Sequence, residues 1–362
     1  SRNWYISQQW SSKSAHDRRI LMAPQTSNTR RKRSTRHHVV PRFYLDGFAR
    51  RHQIRVVQLP GDIRFVQNVS DATVQNNFYT VAGHPDGPDV FERAMGPVEA
   101  EAATVLRKVV DEGVWPLPGD DRETLATLIT LQILREPTQR QQMRNTALAA
   151  ARLLIDTTSP ERLQKLVEAG GEQLSAEDAA RQLQELRAAG AIDVTVSAAS
   201  HAGQIGYLLP RLIRYIMGRP WALVRFARRG LITSDSPVSL VPDPSMPAHM
   251  RMGLMTARGF TFPLNRRTAL MMSSPEPFIN AGRHVDEVTS GAFDLARPGS
   301  TRDERAINLA TALGARERIY HHPDDDAFVP EVLPEPVDDT LSSDDIYTDF
   351  DEAWLTDDSS AE

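Results

Sequence analysis

The sequence predicts an α+β fold, in which a small, mostly antiparallel sheet is formed by the N- and C-terminal parts of the chain around an inserted helical block. A hairpin pattern lies near the N-terminus, helical spacing dominates residues 90–217, and short strand-like runs fill residues 220–322. The 362 residues are 40% hydrophobic, enough for a packed core. We expect a basic, disordered arm over residues 1–35, one domain over residues 36–322 and an acidic, disordered tail over residues 323–362.

The hairpin is predicted by two apolar arms around a turn sequence. Ile54–Leu59 and Ile63–Gln67 partly alternate apolar and polar residues, as a sheet with one solvated face requires. Pro60-Gly61-Asp62 supplies residues that favour a turn. We therefore expect two antiparallel strands here.

The helical block is predicted by apolar residues that recur every three or four positions. One such stripe lies within residues 92–110, and a second begins after the acidic pair Asp120-Asp121, which suits a helix start. Pro137 is expected to end or kink this second helix. A further helix is expected over residues 194–217, with Pro210 inside it.

The strand-rich part is predicted by short apolar runs between turns. These runs are Trp221–Phe226, Leu231–Thr233, Phe260–Phe262 and Thr268–Ser273. A final helix over residues 302–315 and a short strand at Arg318–Tyr320 complete the predicted domain.

Charge is distributed unevenly along the chain. The net charge is −5, but residues 323–362 carry 15 Asp or Glu and no Lys or Arg, so the rest has 42 basic and 32 acidic residues. A body with such an excess could bind nucleic acid by counterion release, and a purely solubilising surface is the open alternative. The predicted binding arm consists of Arg30, Arg31, Lys32, Arg33 and Arg36.

Several classes of protein are excluded or disfavoured. Cysteine is absent, which excludes disulfides, thiolate catalysis and Cys-ligated zinc. No apolar run approaches the roughly 20 residues of a membrane span and no secretory signal is evident, so we expect a cytoplasmic protein without membrane contact. A phosphate-cradling Gly-rich loop, a His-Glu-x-x-His helix and a Gly-x-Ser-x-Gly elbow do not occur, which disfavours NTPases, zinc proteases and esterases.

Two adjacent histidines, His37 and His38, are the most informative residues. Imidazole can transfer protons near neutral pH, bind a metal or contact a phosphate. Pro41 restricts the backbone just after the pair. Because adjacent residues of a strand point to opposite faces, we expect His38 to reach a cleft and His37 to support it. A structural histidine beside an exposed one is the alternative.

Asp235 follows an apolar strand and precedes Pro237, at a strand end where polar groups often face a cleft. The alternative is a local turn in which its carboxylate bonds the backbone of residues 237–238. Ser234 is a supporting candidate. Glu99 and Arg135 lie on consecutive predicted helices, and we expect the arginine either to pair with Glu99 or to clamp an anion. These two roles are compatible.

These motifs resemble the bacterial family known as domain of unknown function 4238. His37 to Leu45, with Gly47-Phe48, resembles its opening pattern His-His-x-x-Pro-x-Phe/Tyr-x-Leu-x-x-Phe, and residues 234–237 resemble its Ser-Asp-x-Pro pattern. Glu136 departs from the small residue expected after Arg135. The resemblance implies a site without implying a reaction, because the family has none assigned. Weaker matches, which extend the resemblance over about residues 37–322, are Glu92 with Val98-Glu99, Arg135–Thr138, Trp221, Phe262–Leu264 and Asn308–Tyr320.

The leading hypothesis is a nucleic-acid- or phosphate-directed hydrolase with His38, Glu99, Arg135 and Asp235 in one cleft. Histidine would serve as base or metal ligand, the carboxylates as ligands or orienting groups, and arginine as the transition-state clamp. If a divalent metal binds, its expected ligands are His38, Glu99 and Asp235. The alternative is a non-catalytic module that binds nucleic acid or protein, in which these residues form a structural polar network.

A His-Asn-His nuclease is a third interpretation of the two histidines. The second half of that motif, an Asn and a His on a short helix, is not evident after the hairpin.

The acidic tail carries Ile346, Phe350 and Trp354 at four-residue spacing, which would place them on one helical stripe. We expect this tail to contact the basic arm or a protein partner, with its carboxylates facing basic residues.

Deleting residues 338–362 is therefore expected to raise nucleic-acid affinity, because the tail competes for the arm. Since that competition is electrostatic, the gain should be larger at low salt than at high salt. Titration of labelled RNA at two salt concentrations measures it. An unchanged affinity, with the arm intact, would leave the tail as a solubility device.

Overall fold

The computed structural model describes residues 36–76, 80, 87, 89–171, 173–188, 194–244 and 253–336. Predictions about arm residues 30–33 and about the tail beyond Pro336 lie outside these residues. The described chain contains both helices and mostly antiparallel sheets, which confirms the α+β class. It forms two compact units, residues 36–136 with 198–336 and residues 137–197.

A run of helices lies between the N-terminal strands and the strand-rich part of the chain. The strands are β1 Arg36–His38, β2 Gln53–Gln58, β3 Ile63–Asn68, β4 Val74–Asn76, β5 Trp221–Arg225, β6 Thr233–Ser234, β7 Ser239–Val241, β8 Gly259–Asn265, β9 Thr268–Met272, β10 Leu295–Pro298 and β11 Arg318–His321. The helices are α1 Arg42–Leu45, α2 Val90–Val110, α3 Gly119–Arg135, α4 Pro137–Asp156, α5 Pro160–Ala169, α6 Ala176–Arg187, α7 Ala198–Met217, α8 Glu276–Asn280, α9 Val285–Thr289 and α10 Thr301–Gly314.

The predicted hairpin is present and joins the two ends of the chain. Strands β2 and β3 pair antiparallel, and the sheet order is β3-β2-β11-β6. The C-terminal strand β11 thus lies between the N-terminal β2 and the short β6, with Tyr320 opposite Val56. The edge strand β3 leaves Ile63 and Val66 about half exposed.

In addition to the sheet shared by both ends of the chain, the strand-rich part forms a sheet of its own. Its order is β10-β5-β9-β8-β7, and only β10 with β5 is parallel. Six of the seven residues of β8 are buried. Such an apolar strand needs cover on both faces, which the half-solvated hairpin sheet cannot give it. A third, two-stranded sheet pairs β1 with β4.

The helical block is divided at the Glu136–Pro137 bond. Helix α3 ends at Arg135 and α4 begins at Pro137, as the restriction imposed by proline on the preceding residue requires. The acidic pair Asp120-Asp121 lies in the first turn of α3 and does not cap it, because Pro118 holds the N-cap position. Helices α2, α3 and α7 belong to the first unit, and α4, α5 and α6 form the second.

The first unit continues beyond residue 322, where the acidic tail was predicted to begin. Residues 326–328 form a 3₁₀ turn, Asp325 is buried in a bidentate contact with Arg266, and Leu333 packs against an apolar cluster that includes Val57 and Ile319. The first acids of the predicted tail are therefore structural. None of the described helices is long and apolar enough to cross a membrane.

A buried ion pair joins the helices of the first unit to its second sheet. Arg122 of α3 and Asp294 have fully buried side chains, and Arg122 Nε donates to Asp294 Oδ2 at 2.7 Å. The guanidinium also donates to the carbonyls of Met217, Thr289 and Arg219 at 2.8 to 2.9 Å. Every nitrogen of the guanidinium is therefore engaged.

The same pair also fixes the start of β5. The amide of Trp221 donates to Asp294 Oδ1 at 2.9 Å, and the guanidinium carbon of Arg122 lies 4.1 Å from the centre of the Trp221 ring. Gly291, with φ at +82°, passes so close that a Cβ there would lie 2.9 Å from Arg122 Nε and from Asp294 Oδ2. Glycine is required at this turn both by the space and by the backbone angle.

Replacing Asp294 with Ala should destabilise the first unit by about 3–5 kcal/mol, because it leaves an uncompensated charge buried. Urea unfolding followed by tryptophan fluorescence would report it. Glu287→Ala is the matched control, since Glu287 lies 3.8 Å from Arg283 in an exposed pair and should cost at most about 0.5 kcal/mol. Similar losses in the two variants would contradict this role.

Candidate functional site

Arg135 links three elements at the C-terminal end of α3. Its side chain is 1% exposed. Nη1 donates to Glu99 Oε1 on α2 at 2.5 Å, and Nη2 donates to the backbone carbonyl of His38 on β1 at 2.6 Å. The ion pair expected between Arg135 and Glu99 is therefore present. The guanidinium is directed at protein groups, which suits a positioning role better than an anion clamp.

Glu92, in the first turn of α2, adds a second carboxyl group whose pKa is affected by this arginine. Burial raises the pKa of Glu92, the Arg135 guanidinium lowers it, and the neighbouring Glu99 raises it further. Its Oε1 atom is buried and has no hydrogen-bond partner among the described residues. Two carboxyl groups therefore share one guanidinium, and burial favours a proton on Glu92.

His38 is placed by β1, whose register pairs it with Val74 of β4. Its Nε2 atom lies 3.2 Å from the carbonyl of Ser70, and since a carbonyl only accepts, this nitrogen carries the proton of that bond. His37 pairs with Gln75 in the backbone register, and its side chain lies outside the description. The carbonyl of His38, already bound by Arg135, ties the histidine segment to α3.

The carboxylate of Asp235 accepts hydrogen bonds from three backbone amides that lie far along the chain. Its Oδ1 accepts from the amide of Arg316 at 2.9 Å, and its Oδ2 accepts from the amides of Glu317 and Arg318 at 2.9 and 3.1 Å. Burial raises the pKa of Asp235, and the three amides oppose that rise. The carboxylate thus holds the turn that leads into β11, and does not bond residues 237–238.

Ser234 and Ser236 form a small hydroxyl network beside Asp235. Ser234 Oγ donates to the carbonyl of Ser236 at 2.8 Å and accepts from its amide at 3.2 Å. Ser236 Oγ in turn donates to Glu136 Oε1. Ser234 therefore holds the turn that presents the Ser236 hydroxyl to a carboxyl group.

Glu136 was not among the site residues predicted from the sequence. Burial raises its pKa to about 7, while the hydrogen bond from Ser236 and the charge of Arg316 lower it and Asp235 raises it. A carboxyl group that titrates near neutral pH can take up and release a proton under working conditions. The available signal was the glutamate between Arg135 and Pro137, where a small residue was expected.

The structure brings the predicted residues together in two clusters. His38, Glu99 and Arg135 share direct contacts. Asp235 lies with Ser236 and Glu136, and the peptide bond between residues 135 and 136 joins the clusters. Within the described part of the chain, no three or more His, Asp or Glu are grouped so that they could hold a metal ion, and this includes the expected set His38, Glu99 and Asp235.

The opening motif also anchors the two larger sheets to each other. The buried hydroxyl of Tyr44 donates to the carbonyl of Pro263 in β8 and accepts from Thr233 Oγ1 in β6, each at 2.7 Å. Its ring stacks on Phe262, with centroids 5.1 Å apart. Burial raises the pKa of Tyr44, so its hydroxyl stays protonated. This part of the motif is structural.

A family model described as "Protein of unknown function (DUF4238)" matches residues 36–325. The chain belongs to this family. The matched range includes both clusters and the Tyr44 anchor. No curated protein matches the chain, and no solved structure does.

Glu136 is expected to make stability depend on pH. A folded-state pKa of about 7, above the ordinary 4.5, means that its contribution is fully present below pH 4.5 and is lost as the pH rises through 7. Glu136→Gln, which keeps an acceptor for Ser236 but cannot ionise, should remove this loss. Urea midpoints between pH 5 and 8 measure it.

The pH dependence of the urea midpoint is compared between the wild type and each variant, so that the contributions of other titrating groups cancel. Glu287→Gln, at an exposed position, should follow the wild-type pH dependence. If Glu136→Gln follows it as well, the raised pKa is refuted.

Proposed function

We propose that the protein is a phosphoester hydrolase, directed at nucleic acid or another phosphate ester, in which Glu136 is the general base. The observation that carries the proposal is the half-buried carboxyl of Glu136, with a pKa of about 7 and a hydrogen bond from Ser236. General bases work best when their pKa lies near the operating pH. This proposal replaces Asp235 with Glu136 at the reacting centre.

The chemistry assigns one role to each group around Glu136. Ser236 fixes one carboxylate oxygen, so the ionised carboxylate can take a proton from a water molecule that attacks phosphorus. Arg316, whose charge already lowers the pKa of Glu136, supplies positive charge for the developing phosphorane oxygens. As the oxygen of water bonds to phosphorus, the bond from phosphorus to the leaving oxygen breaks, and the leaving oxygen takes up the proton held by Glu136 or a proton from solvent.

His38, Glu99 and Arg135 act as positioning residues in this proposal. Arg135 is the last residue of α3, and its side chain binds β1 and α2. These contacts hold the end of the helix immediately before Glu136. A change at Arg135 would therefore move the base without removing it. The predicted basic arm and the positive body of the chain support an anionic substrate, because counterion release favours binding of polyphosphates.

A second candidate is a non-catalytic module that binds nucleic acid or protein. It is favoured by the engagement of Arg135 and Asp235 with internal partners, which are the contacts of a structural network. Only the hydrolase predicts turnover of a phosphoester, whereas the second candidate predicts binding alone.

The test is hydrolysis of bis(p-nitrophenyl) phosphate, RNA and DNA, with and without divalent cations. For the hydrolase, kcat/KM should rise with pH through about 7, as Glu136 ionises. Glu136→Gln should lower kcat/KM by about 100-fold or more, and Glu287→Gln should leave it unchanged.

Equal activity in wild type and Glu136→Gln would indicate a contaminating enzyme and would sink the proposal. Absence of turnover together with salt-dependent binding of nucleic acid would support the second candidate.

A further inference from the structure

Ser236 has its backbone held by a neighbouring hydroxyl, while its own hydroxyl is directed at a carboxyl group. Ser234 Oγ donates to the carbonyl of Ser236 at 2.8 Å and accepts from its amide at 3.2 Å. Pro237 follows and restricts the backbone of Ser236 further. The hydroxyl of Ser236 takes no part in this turn and donates to Glu136 Oε1. The turn therefore fixes the position of the hydroxyl without using it.

Glu136 is placed to take the proton of that hydroxyl. It lies between Arg135, the anchored end of α3, and Pro137, the first residue of α4. Ser236 is buried and Glu136 is partly exposed, so the pair is open to solvent on the Glu136 side. Burial raises the pKa of Glu136 to about 7, against the opposing effect of the bond from Ser236. A hydroxyl within hydrogen-bond reach of a well-oriented base is the arrangement of an activated nucleophile.

Two serines at helix starts show the same bond in a structural role. Ser175, the N-cap of α6, donates to Asp178 at 2.6 Å, and Ser300, the N-cap of α10, donates to Asp303 at 2.7 Å. Each hydroxyl also accepts the amide of its aspartate, so it is used for capping. Hydrogen bonds to the charged forms lower the pKa of both aspartates. Carboxylates of low pKa are weak bases, so these two pairs have no base matched to neutral pH.

We propose that Ser236 is the nucleophile of the hydrolase and that the reaction passes through a phosphoryl ester of this serine, an inference that rests on the proposed function. Ser236 Oγ bonds to phosphorus as its proton passes to the Glu136 carboxylate. The bond from phosphorus to the ester oxygen of the substrate breaks, and that oxygen leaves as an alcohol with the proton held by Glu136.

Hydrolysis of the intermediate returns the pair to its starting state. Once Ser236 is esterified, its hydroxyl no longer occupies the Glu136 carboxylate, which can then take a proton from water. As the oxygen of water bonds to phosphorus, the bond from phosphorus to Ser236 Oγ breaks, and the serine takes back a proton from Glu136. Attack by water is then the second half of the reaction. Arg316, whose charge lowers the pKa of Glu136, supplies positive charge for the phosphoryl oxygens in both halves.

The residues before Ser236 act as positioning residues in this reaction. Ser234 holds the turn, and Asp235 binds the amide of Arg316 at 2.9 Å. Asp235 thereby fixes the segment that carries the cation, while Ser234 fixes the segment that carries the nucleophile.

Reaction with a fluorophosphonate tests the nucleophile in the full chain without knowledge of the substrate. Attack by Ser236 Oγ on diisopropyl fluorophosphate forms a bond from oxygen to phosphorus, releases fluoride and leaves the serine proton on Glu136. Peptide mass spectrometry should find label on Ser236 at least about 100-fold faster than on Ser175 or Ser300. The rate should rise about tenfold between pH 6 and pH 8, as Glu136 ionises. Glu136→Gln should reduce it to the rate of the capping serines.

Turnover of bis(p-nitrophenyl) phosphate supplies a second readout with matched variants. Ser236→Ala should lower kcat at least about 100-fold, because the intermediate cannot form, while Ser175→Ala should leave kcat unchanged. Circular dichroism checks that both variants are folded. The labelling uses the wild type and does not depend on the folding of Ser236→Ala.

The two readouts separate this inference from the proposed function. Loss of turnover in Ser236→Ala without selective label on wild-type Ser236 would overturn the inference and leave this serine as a positioning residue. Full turnover in Ser236→Ala would overturn it as well, with water as the attacking group, and would leave the hydrolase intact. Selective label on Ser236 in a protein that hydrolyses no phosphoester would sustain the nucleophile and overturn the substrate class. Neither turnover nor selective label would overturn both.

Discussion

The buried pair of Arg122 and Asp294 is the interaction on which the first unit depends. It joins α3, the end of α7, the turn at Gly291 and the first residue of β5 through one guanidinium and one carboxylate. Because both side chains are fully buried, neither can be removed without stranding the other's charge. The bidentate contact fixes the position of α3 relative to Asp294, because two planar groups must stay aligned to keep both hydrogen bonds. Apolar packing alone would tolerate small shifts. The position of α3, and therefore of the residues at its C-terminal end, follows from this pair.

Helix α3 transmits that constraint to the candidate site. Arg122 fixes its first turn and Arg135 fixes its last, so both ends of a 17-residue helix are held by buried guanidinium contacts. Glu136 follows directly, before a proline that confines its backbone. A carboxyl group with a perturbed pKa is useful only when its position is defined. Here rigid elements define it from one side, and the Ser236 turn defines it from the other.

Local sequence patterns predicted the elements better than the contacts between them. The hairpin, α2, α7 and α10 follow from periodicity and turn residues within single segments. The division into separate sheets does not, because strand pairing is decided by partners far away in the chain. The same limit explains Asp235 and Glu136. The amides that bind the first lie about 80 residues downstream, and the serine that bonds the second lies 100 residues downstream, so neither environment was visible from the residue types nearby.

The central position of β11 in the hairpin sheet has a kinetic consequence. Residues 318–321 pair with residues 55–58, so this sheet closes a loop of about 260 residues. Contacts between residues so far apart in the sequence form slowly, because closing the loop costs chain entropy before the contact contributes any stabilising free energy. During synthesis the hairpin leaves the ribosome long before its partner strand does. The apolar residues of β2, which are buried in the folded protein, are then without cover, so the nascent chain passes through a period in which this strand can take part in aggregation.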